Sequence, residues 1–95
     1  MILNGKAKED FKKYIYNIRH MYDNSLTSQK YALIIEWFDS VGIYICLENH
    51  YKNFGYKIQD KGNIVLYDHM FAIHSRQEAT KQAILKCNEI YNSNF

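Results

Sequence analysis

The chain has 95 residues, of which 47% are hydrophobic and 16% aromatic, and its formal net charge is +2. This length fits one domain, and the aromatic content excludes a disordered chain, which has few aromatic residues and a large charge imbalance. The near-neutral charge argues against an acidic mimic of DNA and against a strongly basic nucleic-acid binder. Two cysteines are too few for a disulfide-rich secreted scaffold. We therefore expect one small soluble α+β domain over residues 1–95.

A first helix is predicted over about residues 6–22, because apolar residues recur at the spacing of one helical stripe. The members of this stripe are Ala7, Phe11, Tyr14, Ile15, Ile18 and Tyr22. Lys12, Lys13 and Tyr16 point away from the stripe. The turn-forming residues 23–25 end the helix.

A second helix is predicted over about residues 29–41, with Thr27 or Ser28 as its cap. Gly42 follows the last turn, where a glycine can adopt the left-handed conformation that closes a helix. About half of the helix circumference is apolar. This pattern is typical of a central helix that packs on two sides.

Alternation of apolar and polar residues predicts strands between residues 43 and 73. The inward positions of the first two runs are Ile43, Ile45, Leu47, Phe54, Tyr56 and Ile58. Residues 60–63 read Asp-Lys-Gly-Asn and predict a hairpin turn, in which Gly62 supplies the positive φ. Residues 64–67 form the return strand. Residues 70–73 either continue that strand past a bulge or form a fourth short strand.

The last helix begins with a capping box, Ser75-Arg76-Gln77-Glu78. Its predicted inner stripe consists of Ala79, Ala83, Cys87 and Ile90. Asn88 is expected to face outward, and the helix is expected to fray from Asn92 onward. The element order is therefore α-α-β-β-β-α, an antiparallel sheet of three or four strands packed on helices.

No constellation of residues predicts catalysis or metal binding. Glu36 and Asp39 share one helix face, which we interpret as a solvated acidic stripe. His50, His69 and His74 lack the spacing of metal ligands, and the sequence contains no glycine-rich phosphate-binding motif. We expect a protein without enzymatic activity, cofactor or bound metal.

The sequence also predicts where the protein works. The N-terminus lacks the apolar run of a secretory signal, and no stretch has the roughly 20 apolar residues of a membrane span. Cys46 and Cys87 are expected to be reduced and buried, as small hydrophobic residues in a cytoplasmic protein. A disulfide between them is the alternative.

Exposed tyrosines beside basic residues predict a surface that binds a partner. Tyr16, Tyr44 and Tyr51 have no place on the predicted inward faces. Tyrosine is enriched at binding surfaces because it offers a large contact area and loses little rotamer entropy. The predicted partner-binding residues are Lys12, Lys13, Tyr16, Tyr44 and Tyr51. The alternatives are an ordinary solvated face for the lysines and a cross-strand contact for Tyr44.

Two stretches carry a resemblance to a known group of proteins. The first reads WFDSVGIYI over residues 37–45, and the second runs from SRQEA at residue 75 to AILKCNEIYN at residue 92. Both resemble signature stretches of small uncharacterised proteins that phages and mobile elements of gut bacteria encode. Cys87 stands where those proteins usually have alanine.

The resemblance implies the origin of the protein and supplies no catalytic residue. Small phage proteins without enzymatic motifs often bind host machinery stoichiometrically, including CRISPR–Cas and other immune systems. The expected function is thus that of a non-enzymatic phage-type accessory protein that binds and inhibits a host defence protein, such as a Cas effector complex, in the manner of an anti-CRISPR.

A second resemblance is to double-stranded RNA-binding domains, which share the order α-β-β-β-α and a final helix that opens with S-K-K-x-A-K. The matching stretch here, residues 75–80, keeps only Arg76 as a positive charge, and Glu78 would repel a phosphate backbone. A small nucleic-acid-binding module on the same basic, aromatic face is therefore an alternative function. A third alternative is a sponge for a small signalling nucleotide.

Overall fold

The computed structural model describes residues 1–94, without the side chains of residues 68–72. The helices are α1 (Gly5–Tyr14), α2 (Arg19–Asp23), α3 (Thr27–Ser40) and α4 (Arg76–Asn94). The strands are β1 (Ile43–His50), β2 (Asn53–Asp60) and β3 (Asn63–Ile73). They form an antiparallel sheet in the order β1-β2-β3. The α+β class and the order α-α-β-β-β-α are confirmed, and residues 70–73 continue β3.

The predicted first helix is interrupted in the structure. Ile15 (φ −98°, ψ 16°) and Ile18 (φ −125°, ψ 16°) leave the helical conformation, and a short 3₁₀ turn lies between α1 and α2. The rings of Phe11 and Tyr22 contact each other with centroids 5.3 Å apart. A straight helix would separate these two residues by about 16 Å along its axis. The interruption therefore folds α2 back, so that both aromatic rings join one core, whereas Tyr14 stays exposed, contrary to the prediction.

Trp37 of α3 lies at the centre of this core, as the wide apolar arc of the helix predicts. Its ring centroid is 5.7 Å from that of Phe11 in α1, 4.8 Å from that of Phe38 and 4.9 Å from that of Tyr91 in α4. Each such aromatic pair contributes about 0.5–1.5 kcal/mol beyond the burial of its area. α3 also packs against β1, and the core continues through Ile43 and Ile58 into the sheet.

Turn chemistry is close to the prediction at two places and differs at a third. Gly42 (φ 87°) ends α3, and Gly62 (φ 89°) lies in the β2–β3 turn beside Lys61 (φ 53°). The start of α3 is different, because neither Thr27 nor Ser28 caps it. Instead the side-chain oxygen of Gln29 accepts a hydrogen bond of 3.1 Å from the amide of Leu26.

A cluster of three asparagines, which we call the asparagine clamp, joins the start of α1 to the end of α4. The backbone amide of Asn4 donates to Oδ1 of Asn88 (3.0 Å), and the side-chain Oδ1 of Asn4 accepts from Nδ2 of Asn88 (2.9 Å). Asn92 accepts the amide of Ala7 at 2.8 Å and donates to the carbonyl of Asn4 at 3.1 Å. Asn92 of α4 thus satisfies an otherwise free amide in the first turn of α1, as a cap would.

The clamp overturns two expectations about α4. Asn88 is buried although it was predicted to face outward, and Asn92 is helical and bonded although it was predicted to fray. Gly5 (φ 59°) approaches the clamp closely, since a Cβ atom at this position would lie 3.1 Å from Nδ2 of Asn92. Glycine is therefore favoured there, because it adopts a positive φ without steric cost and leaves the side chain of Asn92 in place.

Replacing Asn92 by alanine is expected to lower the free energy of unfolding by about 2 kcal/mol. The variant loses the bond that caps α1 and leaves the backbone amide of Ala7 without its side-chain acceptor. Asn94→Ala, at an exposed position of the same helix end, should change the stability by less than about 0.5 kcal/mol. Urea unfolding of both variants measures the difference, and equal stabilities would contradict a role for the clamp.

Tyr91 provides a second contact between α4 and α1, because its hydroxyl donates to Oδ2 of Asp10 at 2.6 Å. This bond is the main cause that lowers the pKa of Asp10, and the charges of Lys6 and Lys13 act in the same direction. A carboxyl whose pKa is lowered by folding contributes stability above its ordinary pKa and loses that contribution as the pH falls through the folded value.

Tyr91→Phe is therefore expected to raise the pKa of Asp10 toward its ordinary value of 3.8. The stability difference between the wild type and this variant should shrink as the pH falls through the pKa of Asp10 in the folded protein. Carboxyl NMR titration and urea unfolding at several pH values measure the two effects. An unchanged Asp10 titration would show that the bond does not act on this carboxyl.

Candidate protein-binding surfaces

Three of the predicted contact residues form one patch, which we call the helix surface: Lys12, Lys13 and Tyr16. Tyr16 begins the 3₁₀ turn, and 79% of its surface is exposed. Lys13 is exposed and Lys12 is half-buried. Nζ of Lys13 lies 3.9 Å from Oδ1 of Asp10, a weak surface ion pair.

Tyr44 lies on the open face of the sheet, which we call the outer face. Directly opposed residues of antiparallel strands have side chains on the same side. The register therefore places two rows on one face, namely Tyr44, Gln59 and Ile64, and Cys46, Lys57 and Tyr67. Tyr44, Ile64 and Tyr67 are exposed, whereas Ile43 and Ile58 on the opposite face are buried against the helices.

Tyr67 spans the outer face from one edge strand to the other. Its hydroxyl donates to Oε2 of Glu48 at 2.7 Å, and this bond is the main cause that raises the pKa of Tyr67. This hydrogen bond joins β3 to β1 across β2, so the Glu48 carboxylate already has a partner within the chain.

Both cysteines are free thiols, but their environments differ. Cys87 is buried as predicted, and desolvation, with a smaller effect of the Asp39 charge, raises its pKa to about 12. Cys46 is exposed, so the expectation that it is buried is wrong. Cys46 lies two positions after Tyr44 on β1. Because successive side chains of a strand point to opposite sides, Cys46 shares the outer face with Tyr44.

Tyr51 occupies the tip of the β1–β2 hairpin, in a two-residue turn between the paired residues His50 and Asn53. Its side chain is 87% exposed, and its backbone has a φ of 58°. A left-handed conformation costs a non-glycine residue about 1–2 kcal/mol, and turns of this kind usually place Gly, Asn or Asp there. Strain of this sort is concentrated at functional sites.

The structure brings further residues to this tip that the sequence analysis did not select. The rings of His50 and Tyr51 form a T-shaped contact with centroids 4.8 Å apart. Nδ1 of His74 lies 2.6 Å from Oδ1 of Asn53.

The start of α4 reaches the same end of the sheet. The guanidinium of Arg76 lies 5.1 Å from the centroid of the Phe54 ring, and Phe54 opposes Ile73 at the end of β3. We call the set His50, Tyr51, Lys52, His74 and Arg76 the hairpin-tip surface. Its two halves are more than twenty positions apart in the sequence, which is why no local pattern indicates that they meet.

The five predicted contact residues thus fall on three places. Lys12, Lys13 and Tyr16 lie together on α1 and the 3₁₀ turn, and α1 packs on α3 and α4. Tyr44 and Tyr51 lie near opposite ends of β1, about 23 Å apart at the rise of an extended strand. A single small contact patch does not include all five.

The described part of the chain contains no group of three or more His, Cys, Asp or Glu side chains that could hold a metal ion. The side chain of His69 lies outside the described residues. None of the described helices combines the length and the apolar character that crossing a bilayer requires.

No protein-family model matches the sequence, and comparisons with curated proteins and with solved structures find no significant match. The resemblance to phage-encoded proteins stays a prediction from two stretches of sequence. The structure explains both stretches by their place in the fold. Trp37 and Ile43 lie in the core, Gly42 ends α3, and Asn88 and Asn92 belong to the clamp.

Replacing Tyr51 by glycine is expected to raise the free energy of unfolding by about 1 kcal/mol, because glycine adopts a positive φ without steric cost. Lys52→Gly, in the same turn but not at a positive φ, should lower it, since glycine loses more conformational freedom on folding. Urea unfolding of the two variants tests the assignment. A loss of stability in Tyr51→Gly would show that the ring stabilises the free protein.

Proposed function

We propose that this protein is a non-enzymatic accessory protein of a phage or prophage. It acts in the cytoplasm of the bacterial host, where it binds a host defence effector, such as a Cas nuclease complex, and inhibits it by occupying its surface. The two phage-like stretches of sequence support the origin. The observation that carries the binding role is Tyr51, a bulky residue held at a positive φ with 87% of its surface exposed.

An exposed tyrosine in a strained turn contributes little to the stability of the free chain. The ring contributes to binding free energy when a partner covers it. Truncation of a tyrosine at the centre of an interface often costs about 2 kcal/mol or more of that free energy. A standard interface takes about 800 Å² from each partner, a modest part of the 5997 Å² surface of this chain.

The charges on the helix surface favour a protein partner over a nucleic acid. Asp10 lies 3.4 Å from Nζ of Lys6 and 3.9 Å from Nζ of Lys13, so it offsets part of the basic charge of α1. Binding to a phosphate backbone depends on the net release of counterions and weakens steeply with salt. A salt-insensitive complex would therefore exclude the nucleic-acid alternative.

A groove between the first turns of α3 and α4 bears on the signalling-nucleotide alternative. It has a volume of about 380 Å³ and is lined by Tyr31, Ile35, Arg76 and Thr80 together with neighbouring residues. This volume lies at the lower end of the range of small-molecule sites. Mass spectrometry of a heat-extracted preparation would reveal a nucleotide if one occupied the groove.

The proposal is tested in a bacterial host with an active CRISPR–Cas system. Expression of the wild type should abolish plasmid interference, and the tagged protein should retain the effector complex. Tyr51→Ala should weaken that binding by about 30-fold and restore interference, since a loss of about 2 kcal/mol corresponds to this factor.

Leu85→Ala is the matched control, because Leu85 is an exposed apolar residue on α4 outside the three surfaces. It should bind and inhibit like the wild type. Unimpaired interference in the presence of the wild type, together with no retained effector, would refute the proposed function.

A further inference from the structure

We infer that the hairpin-tip surface recognises an acidic segment of the partner protein, in which carboxylates surround a site for the Tyr51 ring. This inference rests on the proposed function and adds the chemistry of the partner. It is carried by the charges that two remote parts of the chain bring to one end of the sheet.

The first argument is the local charge. Residues 49–56 and 73–77 contain no Asp or Glu, although the whole chain has ten. The same two segments carry Lys52 and Arg76 as fixed cations and two histidines. The register and the contacts at Phe54 and Asn53 bring these segments together. In a chain with a net charge of only +2, the β1–β2 turn and residues 73–77 on the approach to α4 thus contain cations and no acidic residue.

The second argument is that these two fixed cations are not neutralised by an ion pair within the described part of the chain. Among the described side chains, Lys6 and Lys13 pair with Asp10, and Lys86 pairs with Glu89. No ion pair involves Lys52 or Arg76 in that part of the chain. Glu78, the acidic residue closest to Arg76 in the sequence, contacts Gln82 along α4 at 3.5 Å.

The third argument is the geometry of the donors. Arg76 is an exposed residue whose guanidinium lies over the Phe54 ring, a contact that restricts the side chain. A planar guanidinium held in this way is suited to bidentate hydrogen bonds with a carboxylate, and less side-chain entropy is lost when they form. His74 is oriented by Asn53, and His50 contacts the exposed Tyr51 ring.

The composition of the surface favours a protein carboxylate over a phosphate backbone. Surfaces that follow a nucleic-acid backbone neutralise several phosphates with lysines and arginines, whereas this surface has two fixed cations. Tyrosine and arginine are instead among the residue types that most often dominate the binding energy of protein interfaces. Phosphate binding is an outcome that the experiment below separates.

The inference can be tested on the purified protein without knowledge of the host partner. The probe is a synthetic 12-residue peptide of Glu residues around one central Leu, compared with a Gln peptide of the same design and with oligouridylate of equal charge. NMR shifts are expected at residues 50–54 and 73–77 with the Glu peptide and not with the Gln peptide. Shifts centred on Lys12 and Lys13, or tighter binding of oligouridylate, would overturn the inference.

Charge reversal provides the matched variants. The double variant Lys52→Glu/Arg76→Glu should weaken binding of the Glu peptide at least tenfold, whereas Lys81→Glu/Lys86→Glu, with the same change in charge on α4, should weaken it less than threefold. Arg76→Glu is expected to fold, because an acidic residue in the first turn is favourable for a helix. Equal losses in the two double variants would show a general charge effect and reject a specific surface.

A second experiment separates this inference from the proposed function. A photo-crosslinking phenylalanine derivative replaces Tyr51, or Tyr16 as the control, during expression in the CRISPR-bearing host. The inference expects a crosslink from position 51 to a peptide of the effector rich in Asp and Glu. A crosslink from position 51 to a neutral or basic peptide, in cells where interference is abolished, would reject the acidic partner and leave the proposed function intact. Unimpaired interference together with specific binding of the Glu peptide would reject the proposed function and leave the affinity of the hairpin-tip surface for acidic segments intact.

Discussion

The packing of Trp37 between two helices is the interaction on which the rest of the structure depends. Its ring contacts both Phe11 of α1 and Tyr91 of α4, and neighbouring residues of α3 continue the core into β1. The burial of several large rings at one point supplies much of the hydrophobic stabilisation available to a chain of this size. The asparagine clamp adds directed hydrogen bonds between the start of α1 and the end of α4.

This arrangement separates the residues that make the fold from those left for function. The stretches at residues 37–45 and 75–92 contribute the central tryptophan, the glycine that ends α3, and two members of the clamp. Because these residues are buried or hydrogen-bonded within the fold, their roles are structural. We therefore expect the partner to contact other parts of the chain. Of the exposed tyrosines, Tyr51 lies at a turn, Tyr16 in the 3₁₀ turn, and Tyr44 and Tyr67 on the outer face, where a partner can reach them.

The hairpin-tip surface is a consequence of the sheet register. The β1–β2 turn places Tyr51 at the end of the sheet, and β3 ends beside Phe54, so that α4 starts at the same edge. A one-residue shift of register would turn the side chains of β3 to the opposite face. The proximity of Arg76 to the hairpin tip therefore depends on the same strand pairing that buries Ile58.

The sequence by itself determined the fold class, the element order, the hairpin at Gly62 and the inward positions of β1 and β2, because these follow from periodicity and local turn chemistry. It also selected Tyr16, Tyr44 and Tyr51 as outward residues, and all three are exposed. Only the tertiary structure decided the break at Ile15, the burial of Asn88 and the meeting of Arg76 with Phe54. Each of these depends on contacts between different elements of the fold. One local sign of such a contact is present in the sequence: Asn88 and Asn92 lie four positions apart within a helix, where asparagine is unfavourable.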